Sequence, residues 1–257
     1  MKTVQLNGRI IKLYDSIDEM PIVNFQKYNK YLLIDSGIGS DINSVDEHVT
    51  KIARFIKAND SKKALQELQN MRQNLYMINS EISPGHLAFA ALIQSIDGKE
   101  ITDLSDDNLK AILKQLNTAK QSWLTKLLIG LKKKVEAELE MYFPEDFTSV
   151  KDKETYDKLK SRTLLILEEV ILNTSRQEQV EIVDEAIFAK YFPKSFIGQA
   201  SAEIKYDKQF ETACLLIAQK TGLDAKKMTV LQFYNALATI KQQAEAETKK
   251  YKRHNIR

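Results

Sequence analysis

The stretch DDNLKAILKQLNTAKQSWLTKLLIGLKKKVEAELEMY, residues 106–142, decides the fold class. It contains no proline, and its apolar residues recur at steps of three, four or seven from Leu109 to Tyr142, as in an amphipathic helix. Ser105 precedes it as an N-cap, and an unbroken helix would be roughly 55 Å long, at about 1.5 Å per residue. The later four-residue steps drift from a heptad, so we predict a long helix packed on neighbouring helices.

Two Tyr-Phe-Pro-x-x-Phe segments, at 142–147 and 191–196, follow helical runs. Proline cannot continue a helix and restricts the residue before it, so each segment is predicted to end a helix. Similar residues also follow both segments, such as Tyr-Asp-Lys at 156–158 and 206–208. Two interpretations stay open here: a duplicated helix-turn-helix unit, or two similar helix ends.

The remaining helices are predicted from capping residues and from apolar periodicity. The predicted starts are Pro21, Ser44-x-x-Glu47, Ser83-Pro84, Ser175-x-x-Glu178, Ser201 and Thr229-x-x-Gln232, and the predicted ends include Gly37 and Gly222. The apolar faces include Val49, Ile52, Phe55 and Ile56; Leu65, Leu68, Leu75 and Ile78; and Leu159, Thr163, Ile166, Leu167 and Val170. The helix opened by Ser83-Pro84 is expected to continue through GHLAFAALIQSI, residues 85–96.

Two short hairpins are the predicted β-structure. Asn7-Gly8 lies between apolar residues and suits the positive φ angles of a tight turn, and Asp97-Gly98 lies between Ile96 and Ile101. We therefore predict an all-α (mainly α) protein: a multi-helix bundle with one long central helix and a small N-terminal β-hairpin. Its predicted domains are 1–143, which ends in the long helix, and 144–257, which carries a basic helical tail; the two could share one core.

Composition limits the classes of function. The chain has 257 residues, 43% hydrophobic and 28% charged, which is typical of a folded soluble protein. Its net charge of +3 is too small to indicate nucleic-acid binding by bulk charge. With Cys214 as the single cysteine we expect a reducing compartment, and we expect neither a secretory signal nor a membrane-spanning helix.

Residues that could carry chemistry are few and scattered. We interpret His48 as a solvated helix position, His86 as a surface or packing residue rather than a general base, and Cys214 as a buried thiol. The loop DSGIGSD, residues 35–41, lacks the third glycine of a dinucleotide-binding loop and is interpreted as a helix end followed by a cap. No metal-ligand spacing is present. The prediction is therefore no enzyme, no cofactor and no metal.

Several segments resemble virion-associated structural or assembly proteins of tailed bacteriophages, and most closely those of crAss-like phages. They are LNGRIIKLYDSIDEMPI (6–22), FQKYNKYLLIDSGIGSD (25–41), ISPGHLAFAALIQSIDGKEITDLSDDNL (82–109) and MTVLQFYNALATIKQQ (228–243), 78 of the 257 residues. The resemblance implies a structural or assembly role near the portal and tail, in the virion and, before assembly, in the host cytoplasm. It implies no catalytic residues.

The expected function is an oligomeric ring or connector subunit joining head and tail, with itself and portal or tail proteins as partners. The candidate contacts are in the hairpin and the basic tail: Leu6, Asn7, Gly8, Ile10, Lys249, Lys250, Tyr251, Lys252, Arg253 and Arg257. One alternative is a tail-assembly chaperone or scaffold that binds another virion protein. A second is weak nucleic-acid binding through the tail, and a third is an enzyme with an unrecognised site.

Overall fold

A computed structural model of the protein describes residues 1–80, 82–117, 122–147, 150–188 and 191–254. It is mainly helical with a small N-terminal sheet, which confirms the predicted class. The strands are β1 (Lys2–Leu6), β2 (Arg9–Leu13), β3 (Ile93–Ile96) and β4 (Lys99–Glu100). The helices are α1 (Ile22–Ile38), α2 (Ile42–Lys57), α3 (Ser61–Ile78), α4 (Pro84–Ala91), α5 (Asp106–Leu116), α6 (Ser122–Tyr142), α7 (Pro144–Phe147), α8 (Val150–Leu172), α9 (Gln177–Phe188), α10 (Ala202–Thr221) and α11 (Val230–His254), with a 3-10 turn at Ala225–Lys227.

The chain forms two compact units. Unit 1 comprises 1–138 and 194–257, and unit 2 comprises 139–193. This differs from the predicted division into 1–143 and 144–257, because the last part of the chain returns to the first. Backbone hydrogen bonds join the amide of Val230 to the carbonyl of Met20 and the amide of Ile22 to the carbonyl of Met228, both at 2.9 Å. Unit 2 is therefore inserted into unit 1.

Both predicted hairpin turns are present. Asn7 and Gly8 have φ angles of 50° and 79°, and Asp97 and Gly98 have φ angles of 51° and 83°. The two hairpins join into one antiparallel sheet of order β1-β2-β3-β4. Alternate residues of a strand point to the same face, and Ile11 and Leu13 of β2 are fully buried. A two-stranded ribbon is marginal in water, so the second hairpin and this burial explain why the first one is stable.

Helix α4 and helix α1 form the centre of unit 1. The residues from Ala88 to Leu92 are fully buried. The prediction that this helix continues to residue 96 is wrong: α4 ends at Ala91, and Ile93–Ile96 forms β3. The buried Asn24 of α1 donates from Nδ2 to the carbonyl of Ala91 at 2.9 Å, which satisfies one of the carbonyls at the end of α4.

The stretch 106–142 is divided rather than one long helix. Helix α5 ends at Leu116, where Asn117 has φ 50° and ψ 48°, and α6 begins at Ser122. Asparagine adopts this left-handed conformation more easily than other non-glycine residues, and it commonly follows a helix end. The helix that packs against α3, α4, α10 and α11 is α1.

Most predicted helix starts are confirmed. Ser83, Ser105 and Ser201 cap α4, α5 and α10 with their hydroxyl oxygens. Thr229 and Gln232 exchange hydrogen bonds as a capping box. The start at Ser44 is wrong: Asp41 caps α2 by accepting from the Ser44 amide at 2.8 Å.

The two Tyr-Phe-Pro segments differ in structure. Helix α6 ends at Tyr142 and Pro144 opens α7, whereas Pro193 lies in an irregular segment between α9 and α10. Phe143 is 6% exposed, but its counterpart Phe192 is 71% exposed. The same residues therefore have different surroundings, and the structure gives no support to a duplicated unit.

The segment after Pro193 is docked on α1 and α3. Asn70 Nδ2 donates to the carbonyl of Lys194 at 3.1 Å, and Gln73 Nε2 donates to the carbonyl of Phe196 at 3.4 Å. The buried ring of Phe196 lies against Gly37, where a side-chain Cβ would overlap with ring carbons. Gly37 therefore provides the space for this ring.

Gly37→Ala is expected to destabilise the protein, although alanine is favoured over glycine in helices by up to about 1 kcal/mol. The new methyl group would displace Phe196, and overpacking of this kind costs about 1–3 kcal/mol. The free energy of unfolding in urea would show the loss. Adding Phe196→Ala should make the Gly37→Ala change neutral or favourable; an equal loss in both backgrounds would contradict the role of this contact.

Candidate protein-interaction surfaces

Helix α3 is oriented oppositely to the prediction. Its predicted apolar face is Leu65, Leu68, Leu75 and Ile78; the three leucines are exposed and Ile78 is half-buried. The buried residues are Ala64, Glu67, Asn70 and Asn74, so a mostly polar face points inward. The predicted face is therefore not a core face, and the residues that replace it in the interior need polar partners.

His48 of α2 is the main partner of this polar face, which contradicts its interpretation as a solvated residue. Its side chain is buried, with Nδ1 2.8 Å from Glu67 Oε1 and Nε2 2.7 Å from the carbonyl oxygen of Ile38. Asn74 Nδ2 donates to the same carbonyl at 2.9 Å, and Lys51 Nζ lies 3.7 Å from Glu67 Oε1. Together these contacts hold α2 and α3 as a hairpin on the end of α1.

The position of the protons follows from the partners. A carbonyl oxygen only accepts, so Nε2 of His48 carries a proton towards Ile38. Burial lowers the pKa of His48, but the hydrogen bonds to Glu67 and Ile38 outweigh burial, and the pKa is raised overall. The charged form of His48 is thus favoured beside the Glu67 carboxylate.

The outer side of the α2–α3 hairpin is apolar. His48 of α2 and Glu67 of α3 face each other across the hairpin. The next residue on each helix, Val49 on α2 and Leu68 on α3, is rotated by about 100° around its helix axis. Because the two helices are antiparallel, both rotations bring these residues to the same side of the hairpin. Seven residues make about two helical turns, so Ile42 and Ile56 lie on the same side as Val49, and Leu75 lies on the same side as Leu68. The exposed set Ile42, Val49, Ile56, Leu68 and Leu75 is named the α2–α3 surface.

Unit 2 contains a second exposed apolar surface. Helices α8 and α9 form a hairpin, and none of their described side chains is buried. The exposed residues of α8 include Leu159, Leu164, Ile166, Leu167, Val170 and Ile171, which we name the α8–α9 surface. Val170 and Ile171 are 75% and 76% exposed. A helical hairpin without a buried core has little apolar burial to offset the entropy lost on ordering.

The apolar residues of α8 occupy two adjacent sides. Leu164, Leu167 and Ile171 lie on one side, and Leu159, Ile166 and Val170 lie on a side about 100° away. Residues 162–172 contain seven apolar residues among eleven. A helix that is apolar over this much of its circumference is typical of a position inside a bundle, with neighbours on more than one side.

One ion pair joins α8 to α9, and a second joins α8 to the residue before α9. Arg162 Nε lies 2.5 Å from Asp184 Oδ1, and Arg176 Nε lies 3.8 Å from Glu168 Oε2. Both pairs are partly exposed, so each contributes at most about 1 kcal/mol. Both pairs leave the apolar residues of the α8–α9 surface exposed.

The predicted contact residues of the hairpin are partly used within the chain. Leu6 is buried, and Asn7 Nδ2 donates to the carbonyl of Leu116 at 2.6 Å, so the turn is fixed to the end of α5. Gly8 and Ile10 are exposed, Ile10 by 53%. The hairpin can therefore offer Ile10 to a partner, whereas Leu6 is covered by its own chain.

The predicted contact residues of the tail lie at the C-terminal end of the part of the chain that the structure describes. Helix α11 includes the backbone of Lys249, Lys250, Tyr251, Lys252 and Arg253, whose side chains are outside the described part of the chain. Arg257 is outside the described residues altogether. From Lys241 to Thr248 every side chain is exposed, so this part of α11 projects beyond the core.

The other residues considered for chemistry have local roles. Cys214 is buried, as predicted, and burial raises the pKa of its thiol. The loop 35–41 is a helix end followed by a cap, as predicted, with α1 ending at Ile38 and Asp41 capping α2. Ser83 Oγ lies 2.6 Å from His86 Nδ1 within the N-terminal cap of α4.

The sequence indicates that α8 is apolar on two sides, but the predicted apolar face includes mainly one of them. The predicted face of α8 names Leu159, Ile166, Leu167 and Val170 but omits Leu164 and Ile171 on the neighbouring side. In α2 and α3, the sequence shows apolar residues at seven-residue spacing on each helix. Whether these residues form one surface depends on how the two helices face each other, which only the contact between His48 and Glu67 shows.

No known protein family, curated protein or solved structure matched this chain. Among the helices that the structure describes, none is long and apolar enough to cross a lipid bilayer. Within the same residues, no group of three or more His, Cys, Asp or Glu side chains is placed to hold a metal ion. The geometry of the two exposed surfaces is therefore the basis for a functional proposal.

Proposed function

We propose that this protein is a self-assembling structural subunit, and that it forms a ring or connector at the head-tail junction of a tailed phage. The single observation that carries the proposal is the α8–α9 hairpin, whose described side chains are all at least partly exposed although much of α8 is apolar. Burying apolar surface is worth about 25 cal/mol per Å². A partner that covers this hairpin would supply the missing core.

A second copy of the chain is the proposed partner, through its α2–α3 surface. The two apolar surfaces belong to different parts of the chain and differ in residues. A contact between them is heterologous, which leaves one free surface on each subunit for the next copy. Repeated addition then gives a ring when the rotation closes, whereas a contact between identical surfaces would stop at a dimer.

Charge also favours this pairing. Residues 42–78, which span α2 and α3, have six basic and four acidic residues and a net charge of +2. Residues 150–188, which span α8 and α9, have nine acidic and six basic residues and a net charge of −3. Opposite charge around two apolar surfaces speeds association and disfavours pairing of like surfaces.

The phage role rests on the resemblance of four segments to virion-associated proteins of tailed phages. A ring or connector subunit acts by positioning other proteins, so the proposed role is structural rather than catalytic. The proposed partners are other copies and a portal or tail component. The proposed location is the virion after assembly from the host cytoplasm.

The mass of the purified chain, measured by light scattering behind a sizing column, tests self-assembly, together with negative-stain images of each peak. We expect a closed oligomer of definite copy number that is imaged as a ring. A monomer at all concentrations, alone and with purified portal or tail proteins, would contradict the proposal and favour the chaperone alternative.

Deleting residues 242–257 is expected to abolish assembly and leave the helical content of the core intact. The deleted segment is basic at its end, and Ile240, the last buried residue among the described side chains of α11, is retained. We propose that the tail of one copy binds the acidic end of the α8–α9 hairpin of the next, near Glu178 and Glu181. Sizing and circular dichroism measure both effects. Assembly of the truncated chain at the native copy number would show that the tail is dispensable.

A further inference from the structure

A cleft of about 360 Å³ lies in unit 1, between α1, the start of α4 and α6. One end is polar, with the side chains of Asp35, Ser40, Ser83 and His86, and the other is an aliphatic wall of Leu32, Leu124, Leu128 and Ile129. This volume is at the lower end of the range for small-molecule sites, which combine an apolar lining with a few polar groups. The cleft therefore fits a small ligand or a single long side chain.

Asp35 is the accessible charged group at the polar end. Ser40 Oγ donates to its Oδ1 at 3.2 Å, and His86 interacts electrostatically with the carboxylate. Gly85 lies beside it, and a Cβ on Gly85 would stand 3.7 Å from Oδ2. The absence of a side chain at residue 85 thus leaves the carboxylate uncovered on this side.

Tyr28 provides an independent indication of a ligand. It lines the same cleft, its side chain is 2% exposed, and its buried hydroxyl has no hydrogen-bond partner among the described residues. An unpaired buried hydroxyl is costly, and such groups are rare without a ligand, water or functional role. Burial and the nearby Glu136 raise the pKa of Tyr28, so the hydroxyl stays neutral and can donate or accept.

The charges around the cleft favour a cation over an anion. Lys132 lies 3.7 Å from Glu136, so an acidic partner already balances its charge. Asp41 is engaged as the N-cap of α2. Burial raises the pKa of Asp35, so its ionised form would gain from a positive charge placed beside it.

We propose that this cleft binds a cation carried on an aliphatic stem, an alkylammonium or alkylguanidinium group. The carboxylate of Asp35 pairs with the cation, the hydroxyls of Ser83 and Tyr28 accept its remaining hydrogens, and the leucine wall contacts the methylene groups. A free amine and a lysine or arginine side chain of another protein share this chemistry.

Calorimetric titration with n-butylguanidinium, with n-butanol as the neutral control of equal stem length, tests the cleft. We expect binding of n-butylguanidinium at least about tenfold tighter than that of n-butanol, because a charge-assisted pair is lost with the alcohol. Asp35→Asn should weaken n-butylguanidinium binding at least about tenfold, and the matched exposed change Asp107→Asn should leave it unchanged. The proposal is overturned if n-butylguanidinium binds equally to the native chain and to Asp35→Asn. It is also overturned if the native chain binds neither n-butylguanidinium nor a peptide of residues 247–257.

Gly85→Ala is a second variant, which tests whether weaker binding in Asp35→Asn results from loss of folding. Its φ angle is not left-handed and the added Cβ fits at ordinary contact distance, so the variant should fold and still weaken binding by covering Asp35. A peptide of residues 247–257, ETKKYKRHNIR, separates the two sources of the cation. Binding at least tenfold tighter than n-butylguanidinium, with the same dependence on Asp35, identifies a protein side chain; weaker or equal binding identifies a free amine.

Discussion

A variant with Leu167→Glu and Ile171→Glu is expected to stay monomeric under conditions in which the native chain assembles. Both positions are exposed in the free chain, so the carboxylates cost little in the monomer. In the proposed contact they would be buried against the α2–α3 surface without a partner, which costs several kcal/mol per charge. The association constant should fall by at least about a hundredfold, measured by light scattering. Ser161→Glu, also on the exposed part of α8, is the matched control and should assemble normally.

The head-to-tail arrangement makes a sharper prediction for mixtures. Val49→Glu disables the α2–α3 surface but leaves the α8–α9 surface, and the α8 variant does the reverse. Each variant alone should be monomeric, and an equimolar mixture should form a one-to-one dimer that cannot grow. A mixture that remains monomeric, or an α8 variant that still dimerises, would rule out this pairing of surfaces.

His48→Leu is expected to destabilise unit 1 by about 3–5 kcal/mol, the range measured when one partner of a buried ion pair is removed. The variant leaves the Glu67 carboxylate, which is 0% exposed, with Asn70 Nδ2 at 3.4 Å and Lys51 Nζ at 3.7 Å. Urea unfolding measures the loss. Glu47→Ala, an exposed neighbour on α2, is the control and should change the free energy of unfolding by less than about 0.5 kcal/mol.

The double variant His48→Leu, Glu67→Met should recover much of that stability. It removes both charges, and the neighbouring groups keep partners: Asn74 still donates to Ile38, and Asn70 still donates to Lys194. Replacing a buried pair by apolar residues of similar volume is often neutral. Additive losses in the two single variants would instead show that the pair is not coupled.

The same pair predicts a pH dependence. The folded pKa of His48 is raised above its unfolded value of about 6.5, so its contribution is fully present below that pH and is lost as pH rises through the folded pKa. The free energy of unfolding should therefore decrease as the pH rises above about 6.5 in the native chain. The double variant should lack this component; the same slope in both proteins would exclude His48 as its origin.

Local signals predicted much of the fold. Asn7-Gly8 and Asp97-Gly98 identified both turns, and Ser83-Pro84 and Thr229-x-x-Gln232 identified helix starts, because these residues satisfy local backbone geometry. Other features needed information that neighbouring residues do not hold. Asn117 ends α5 in a left-handed conformation without a glycine or proline, and the apolar periodicity of 106–142 continues past it, so this end was not predicted.

The interaction surfaces were less predictable for a physical reason. Apolar periodicity identifies a face but does not say whether the same chain or another covers it. On α3 the leucines are outside because Glu67, Asn70 and Asn74 find partners in His48, Ile38 and the segment at 194–196. These partners are up to 124 residues away, so no local pattern could reveal them.

The insertion of unit 2 into unit 1 has a consequence for biosynthesis. Met20 cannot form its backbone bond with Val230 until the later residue has left the ribosome. At about 5–20 residues per second, that delay is about 10–40 s. After residue 138 has been made, the first part of unit 1 still lacks the segments that complete its core, and the apolar α8 leaves the ribosome before those segments do. A nascent chain of this kind is exposed to aggregation, and early engagement by a chaperone or by a neighbouring copy would protect it.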